Sequence, residues 1–85
     1  MSANYKVYVI ENTDGRRYIG LSEDVAKRLI QHNRGDSKWT SKFRPWTLLW
    51  ERASMNLSEA RKLENRLKAS KGGNGFYEIT GLPRS

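Results

Sequence analysis

The sequence predicts an α+β fold, and three observations carry the prediction. The runs Lys6-Val7-Tyr8-Val9-Ile10 and Arg17-Tyr18-Ile19-Gly20-Leu21 are rich in β-branched and aromatic residues and flank Asn12-Thr13-Asp14-Gly15, whose Asn, Asp and Gly tolerate positive φ, so together they read as a β-hairpin. Two later stretches repeat apolar residues at helical spacing, each behind a capping residue. Between them, Trp46 to Glu51 reads as a third strand.

Side chains alternate along a strand, so Tyr8 shares a face with Lys6 and Ile10, and Tyr18 shares one with Gly20, which leaves space beside that phenol. Ser22 offers an N-cap for the first helix, with Glu23 and Asp24 near the positive end of its dipole; the helix runs to about Asn33, and Gly35 is available to end it. At about 100° per residue, Val25 and Leu29 mark the buried stripe. Arg28 and His32 lie together along one edge of it, at the rim of the core.

Ser37 to Pro45 is polar and basic and reads as an exposed loop closed by Arg44-Pro45, because proline restricts its predecessor to extended conformations. In the third strand Trp46, Leu48 and Trp50 alternate with Thr47 and Leu49. Apolar groups on both faces suit a central strand. The second helix starts at Asn56, with Glu59 completing a capping box, and buries Ala60, Leu63 and Leu67. Glu64 falls in the same stripe, about 40° from Ala60, where a carboxylate is costly unless something compensates it. Lys71-Gly72-Gly73-Asn74-Gly75 breaks that helix, and Phe76 and Tyr77 lead into a short tail.

Composition narrows the function. Eighty-five residues suit one domain, 1–85, with a single modest core and room for one site. Sixteen Lys and Arg against nine Asp and Glu leave +7, which favours a polyanionic partner, nucleic acid foremost. An anionic membrane surface fits less well, since no helix sets a Lys/Arg face against a broad Trp/Phe/Leu face. The absence of cysteine excludes disulfide frameworks, thiolate zinc sites and a cysteine nucleophile. With no apolar run of membrane-span or signal-peptide length, the expected location is the cytoplasm.

Tyr18-Ile19-Gly20 spells YIG, Arg28 and His32 form Arg-x-x-x-His, and Glu64 ends Glu59-Ala60-Arg61-Lys62-Leu63-Glu64. In this order and spacing, from Lys6 to about Gly75, the chain resembles the GIY-YIG nucleases, a family that includes the N-terminal nuclease of the UvrC repair protein and many small bacterial proteins. The first motif departs from the family's: Lys6-Val7-Tyr8 keeps the tyrosine and loses the glycine. The resemblance implies a three-stranded antiparallel sheet flanked by helices in the order ββαβαα. It also implies a metal-dependent endonuclease that hydrolyses DNA by direct water attack, and through the repair nuclease a link to DNA repair.

Carried onto this chain, the resemblance makes Glu64 the ligand of a hard cation, Mg²⁺ or Mn²⁺; a Glu64 to Lys68 surface pair is the alternative. Arg28 would hold the scissile phosphate with its guanidinium fork, or be an ordinary solvated arginine. Tyr8 is the candidate base or water-positioner and Tyr18 its partner, although a free phenol with a pKa near 10 needs help to act as a base at neutral pH. The alternative is two core aromatics with satisfied hydroxyls. His32 would relay the Tyr8 proton or orient a phosphate, against a merely structural imidazole. Lys38, Trp39, Lys42 and Arg44 combine cations with an aromatic suited to nucleic-acid contact; the alternative is a solvated loop with Trp39 tucked against the core. Asn74 is the candidate for the family's late asparagine, and the glycines around it suit a plain turn residue equally. Beside the nuclease stand two other classes, a nucleic-acid-binding module on the same scaffold that does not cleave and a protein-interaction domain. DNA is the expected substrate ahead of RNA, and a protein partner stays open.

Overall fold

In the computed structural model, residues 4–70 and 73–83 are described. The hairpin forms as expected from β1 (Tyr5–Asn12) and β2 (Arg17–Ser22). The Asn12 side chain organises its turn, with Oδ1 accepting from the Asp14 and Arg16 amides and Nδ2 donating to the Phe43 carbonyl. Gly15 takes the positive φ, 82°. The third strand, β3 (Trp46–Met55), completes an antiparallel sheet in the order β2-β1-β3.

β1 is therefore the central strand and β3 an edge, the reverse of the expectation for Trp46 to Glu51. Val7, Tyr8, Val9 and Ile10 are all fully or almost fully buried, so β1 is covered on both faces. β3 has apolar groups on both faces for another reason. Its pairing runs from Val9 with Trp50 to Ile10 with Leu48, and the bulge at Leu49 breaks the alternation. Trp46 consequently packs with Tyr8, Ile10 and Val25, whereas Leu49 and Trp50 pack against Val7 and Val9.

The first helix, α1 (Val25–Arg34), is capped by Asp24 rather than Ser22: Asp24 Oδ1 accepts from the Lys27 amide at 3.0 Å, while Ser22 ends β2 and accepts from the Asp24 amide. It stops at Gly35, where φ is 92°. Ser37 to Pro45 is not simply an exposed loop, because it holds a short 3₁₀ turn, Thr40–Phe43, with Thr40 fully buried. The Thr40 carbonyl accepts from Trp46 Nε1 at 2.8 Å, which pulls the segment onto the core. Arg44, before the proline, is extended as expected.

The second helix, α2 (Leu57–Ala69), has the complete Asn56 and Glu59 capping box and buries Ala60, Leu63 and Leu67. The expected tail is instead a third helix, α3 (Asn74–Thr80), because Phe76 is fully buried against the α2 face of the sheet. Lys71 and Gly72, part of the predicted break, lie outside the described residues. With α3 the order is ββαβαα on an α+β fold. α2 and α3 cover the Val7 and Val9 face, α1 and the 3₁₀ turn cover the Tyr8 and Ile10 face, and among the described residues no further strand pairs with the outer edge of β2.

Candidate active site

The alternation of β1 aims Tyr8 at the α1 side, and its register partner across the hairpin is Gly20. A Cβ built on Gly20 would lie 2.6 Å from Tyr8 Oη, so glycine is needed there for the phenol to lie over β2. The space expected beside Tyr18 is thus occupied by Tyr8. From the helix above, His32 meets the phenol: Tyr8 Oη is 2.9 Å from His32 Nε2, and His32 Nδ1 is 2.8 Å from Thr40 Oγ1. His32 is completely buried, in the core and not at its rim. Three residues after Leu29 and seven after Val25, it falls beside the buried stripe, and the 3₁₀ turn closes over it.

Tyr18 packs edge-on to His32 with ring centroids 5.0 Å apart, 6.4 Å from the Tyr8 ring. Arg28, half-buried one turn before His32, bonds through Nη1 to Gln31 Oε1 at 2.9 Å, and its charge reaches the Tyr8 phenol. Burial foremost, with Tyr18 beside it, pushes the Tyr8 phenol up to about 12, against the opposing pull of Arg28. Burial, then Arg28, holds the His32 imidazole below its ordinary value, so the ring is neutral at neutral pH.

Glu64 arrives from the other layer. Its side chain is only 12% exposed, and its ion-pair partner is Lys68 one turn on, at 3.2 Å. Its charge is nonetheless felt at Tyr8. The predicted surface pair with Lys68 exists, then, but on a largely buried carboxylate. Among the described residues no three His, Cys, Asp or Glu side chains gather as a metal-binding group. The donor set is one carboxylate, which suits a hard cation that keeps waters and takes substrate oxygens, and does not suit an all-protein cage.

Of the predicted site residues, Tyr18 and His32 therefore lie against the Tyr8 phenol, and Arg28 on α1 and Glu64 on α2 act on it through their charges. The loop residues divide. Trp39 stacks on Tyr18 with centroids 6.0 Å apart, Lys38 and Lys42 are exposed beside it, and Arg44 turns back to the Asn33 carbonyl. Asn74 opens α3, which packs on the opposite face of the sheet from the Tyr8 and His32 pair. Thr40 and Gln31 were not anticipated as parts of the site. Thr40 lies eight residues beyond His32 in a polar segment that has no periodicity, so nothing local marks it.

Residues 4–76 match the GIY-YIG catalytic domain. The chain is 42% identical over 65 residues to a UPF0213 protein of Halobacterium salinarum, covering 75% of this chain and 84% of that one. It is 36% identical over 63 residues to a UPF0213 protein of Staphylococcus saprophyticus, covering 73% and 77%. Among solved structures it is similar to the solution NMR structure of a UPF0213 protein from Bacillus halodurans, with 28% identity, a TM-score of 0.47, and coverage of 96% of this chain and 99% of that one. With the domain matched over most of its length and relatives at these identities, the chain belongs to the GIY-YIG nuclease family.

Proposed function

We propose that this protein is a metal-dependent endonuclease that hydrolyses DNA phosphodiesters by direct attack of water. The observation that carries the reading is the hydrogen-bonded line from Tyr8 Oη through the neutral His32 ring to Thr40 Oγ1, with Arg28 and Glu64 both within electrostatic reach of the phenol.

The phenol does not act as a standing phenolate. With a pKa near 12, about one molecule in 10⁵ would be ionised at pH 7. A relay avoids that cost. With the imidazole N–H at Nδ1, toward Thr40, Nε2 accepts the Tyr8 proton while Tyr8 Oη takes one from the attacking water. The phenol stays neutral, the proton ends on His32, and hydroxide reaches phosphorus. Burial and Arg28 disfavour the imidazolium, so His32 releases its proton readily after the step. The Arg28 fork suits two oxygens of the scissile phosphate. Glu64 would hold the divalent cation, which supplies charge neutralisation at the phosphate and leaving oxygen. Tyr18, packed edge-on to His32, keeps that ring oriented.

The excess of +7 supports a polyanionic substrate. Glu64→Gln is the test, since it exchanges the carboxylate for a near-isosteric neutral amide. Cleavage of branched, nicked and single-stranded DNA in Mg²⁺ or Mn²⁺ should disappear while folding and binding persist. Undiminished cleavage at saturating metal would make Glu64 a bystander. Binding without cleavage by the wild-type protein in either metal would favour the binding module.

A further inference from the structure

We infer that Trp39 and the pocket beneath it hold an unpaired DNA base next to the scissile phosphate, so that the preferred substrate carries single-stranded character at the cut. This rests on the nucleic-acid reading above and adds to it the class of substrate.

The chain has three tryptophans in three different settings. Trp46 is buried, Trp50 is half-buried, and Trp39 is 44% exposed. Exposing so much of the largest apolar side chain is unfavourable in a folded monomer, and the surrounding packing does not relieve it. The indole is nevertheless held in place: Tyr18 stacks on it at 6.0 Å and 30°, Phe43 lies 4.9 Å away and Trp46 6.0 Å away. Arg16 in turn sits over the Phe43 ring at 4.3 Å. A rigid, presented aromatic face is what a nucleobase needs for stacking, and it loses little freedom when it binds.

Below it opens a pocket of about 390 Å³ that wraps the free edge of β2, lined by Arg17, Tyr18, Ile19, Trp39 and Lys68. Its walls match a nucleotide in kind. Trp39 and Tyr18 supply the aromatic side, and Lys68, half-exposed at the rim, supplies a cation for a phosphate. Lys38 and Lys42 flank the indole on its own segment. The location ties the pocket to the chemistry: Tyr18 stacks on Trp39 and is also edge-on to His32 at 5.0 Å, so one ring separates the stacked base from the proton relay. Lys68 likewise pairs with Glu64. A base within an intact duplex is stacked on its neighbours on both sides and cannot offer a face to Trp39, whereas an unpaired one can.

The test measures binding, so it does not depend on cleavage. In the Glu64→Gln background without divalent metal, titrations compare a short oligothymidine with a duplex of the same length for Trp39, Trp39→Phe, Trp39→Leu and Trp39→Ala. Stacking of one base predicts that Ala and Leu weaken oligothymidine binding roughly 5- to 150-fold, that Phe retains most of it, and that duplex affinity changes much less. Leu keeps the apolar contacts with Tyr18 and Phe43, so its loss of binding, with unchanged circular dichroism, separates stacking from folding. Equal weakening of single strand and duplex, or full binding by the Leu variant, overturns the stacking assignment alone. A Trp39-dependent preference for oligouridine over oligothymidine overturns the assignment to DNA. Failure of the parent to bind either oligonucleotide at low salt removes the nucleic-acid reading and this inference together.

Discussion

Gly20→Ala should disable the site and weaken the fold through a single methyl group. The new Cβ would stand 2.6 Å from Tyr8 Oη, 2.7 Å from its Cζ and 3.0 Å from its Cε1. Comfortable separation begins near 3.5 Å, so the ring must retreat by about 0.9 Å. Tyr8 is 1% exposed and packed between β2 and His32, so its ring cannot move by that much and keep the 2.9 Å hydrogen bond to His32 in good geometry. Overpacking costs about 1 to 3 kcal/mol, and the orphaned buried nitrogen of His32 adds a similar amount. At about 4 to 8 °C per kcal/mol for a domain of this size, Tm should fall by roughly 10 °C or more. Thermal denaturation followed by circular dichroism measures the loss, and single-turnover cleavage below the transition should be nearly abolished. Adding Tyr8→Phe removes the closest clashing atom, so the double variant should be more stable than the two single losses predict, by about 0.5 to 3 kcal/mol. A Gly20→Ala protein within about 0.5 kcal/mol of the parent and with a normal rate would refute the placement of the phenol over Gly20.

Tyr8→Phe should lower the single-turnover rate by at least the ~10²-fold of a lost proton-transfer group with the fold retained, and Tyr18→Phe should do less; a reversed order would exchange their roles. Arg28→Lys keeps the charge and loses the fork, so it should be close to inactive; recovery of most of the rate by Lys but not by Ala would show that field strength alone matters. Thr40→Val matches the shape but leaves His32 Nδ1 unpartnered, which predicts a loss of about 1 to 3 kcal/mol in urea denaturation together with slower cleavage. Because the folded pKa of His32 lies below its unfolded value of 6.5, the unfolded chain binds the extra proton first. Stability should therefore be full above about pH 6.5 and fall on acidification through that window, with the slope reduced in His32→Gln. At the alkaline end the sign reverses: the Tyr8 contribution is full below its unfolded pKa of 10.0 and is lost as pH rises toward about 12, and one tyrosinate absorbance step near 12 should vanish in Tyr8→Phe.

Local chemistry determined much of this protein before any fold was known. The Asn12 to Gly15 turn, the Asn56 and Glu59 capping box, the Gly35 stop and the Ala60, Leu63 and Leu67 stripe each depend on neighbours a few residues away, so periodicity and capping reveal them. The candidate site residues Tyr8, Tyr18, Arg28, His32 and Glu64 were legible through their order and spacing, which resemble a family pattern. What they do to one another was not. That β1 is central follows from helices covering both of its faces, which no property of Trp46 to Glu51 discloses, and the Leu49 bulge depends on pairing with another strand. The depth of His32 was decided by the 3₁₀ turn folding over it, and the third helix by the seat that α2 and the sheet offer Phe76. The pKa displacements of Tyr8 and His32 likewise arise from burial and from charges on other elements. Sequence determines which groups are present and which local turns they make; tertiary packing determines the distances and the desolvation, and proton transfer depends on both.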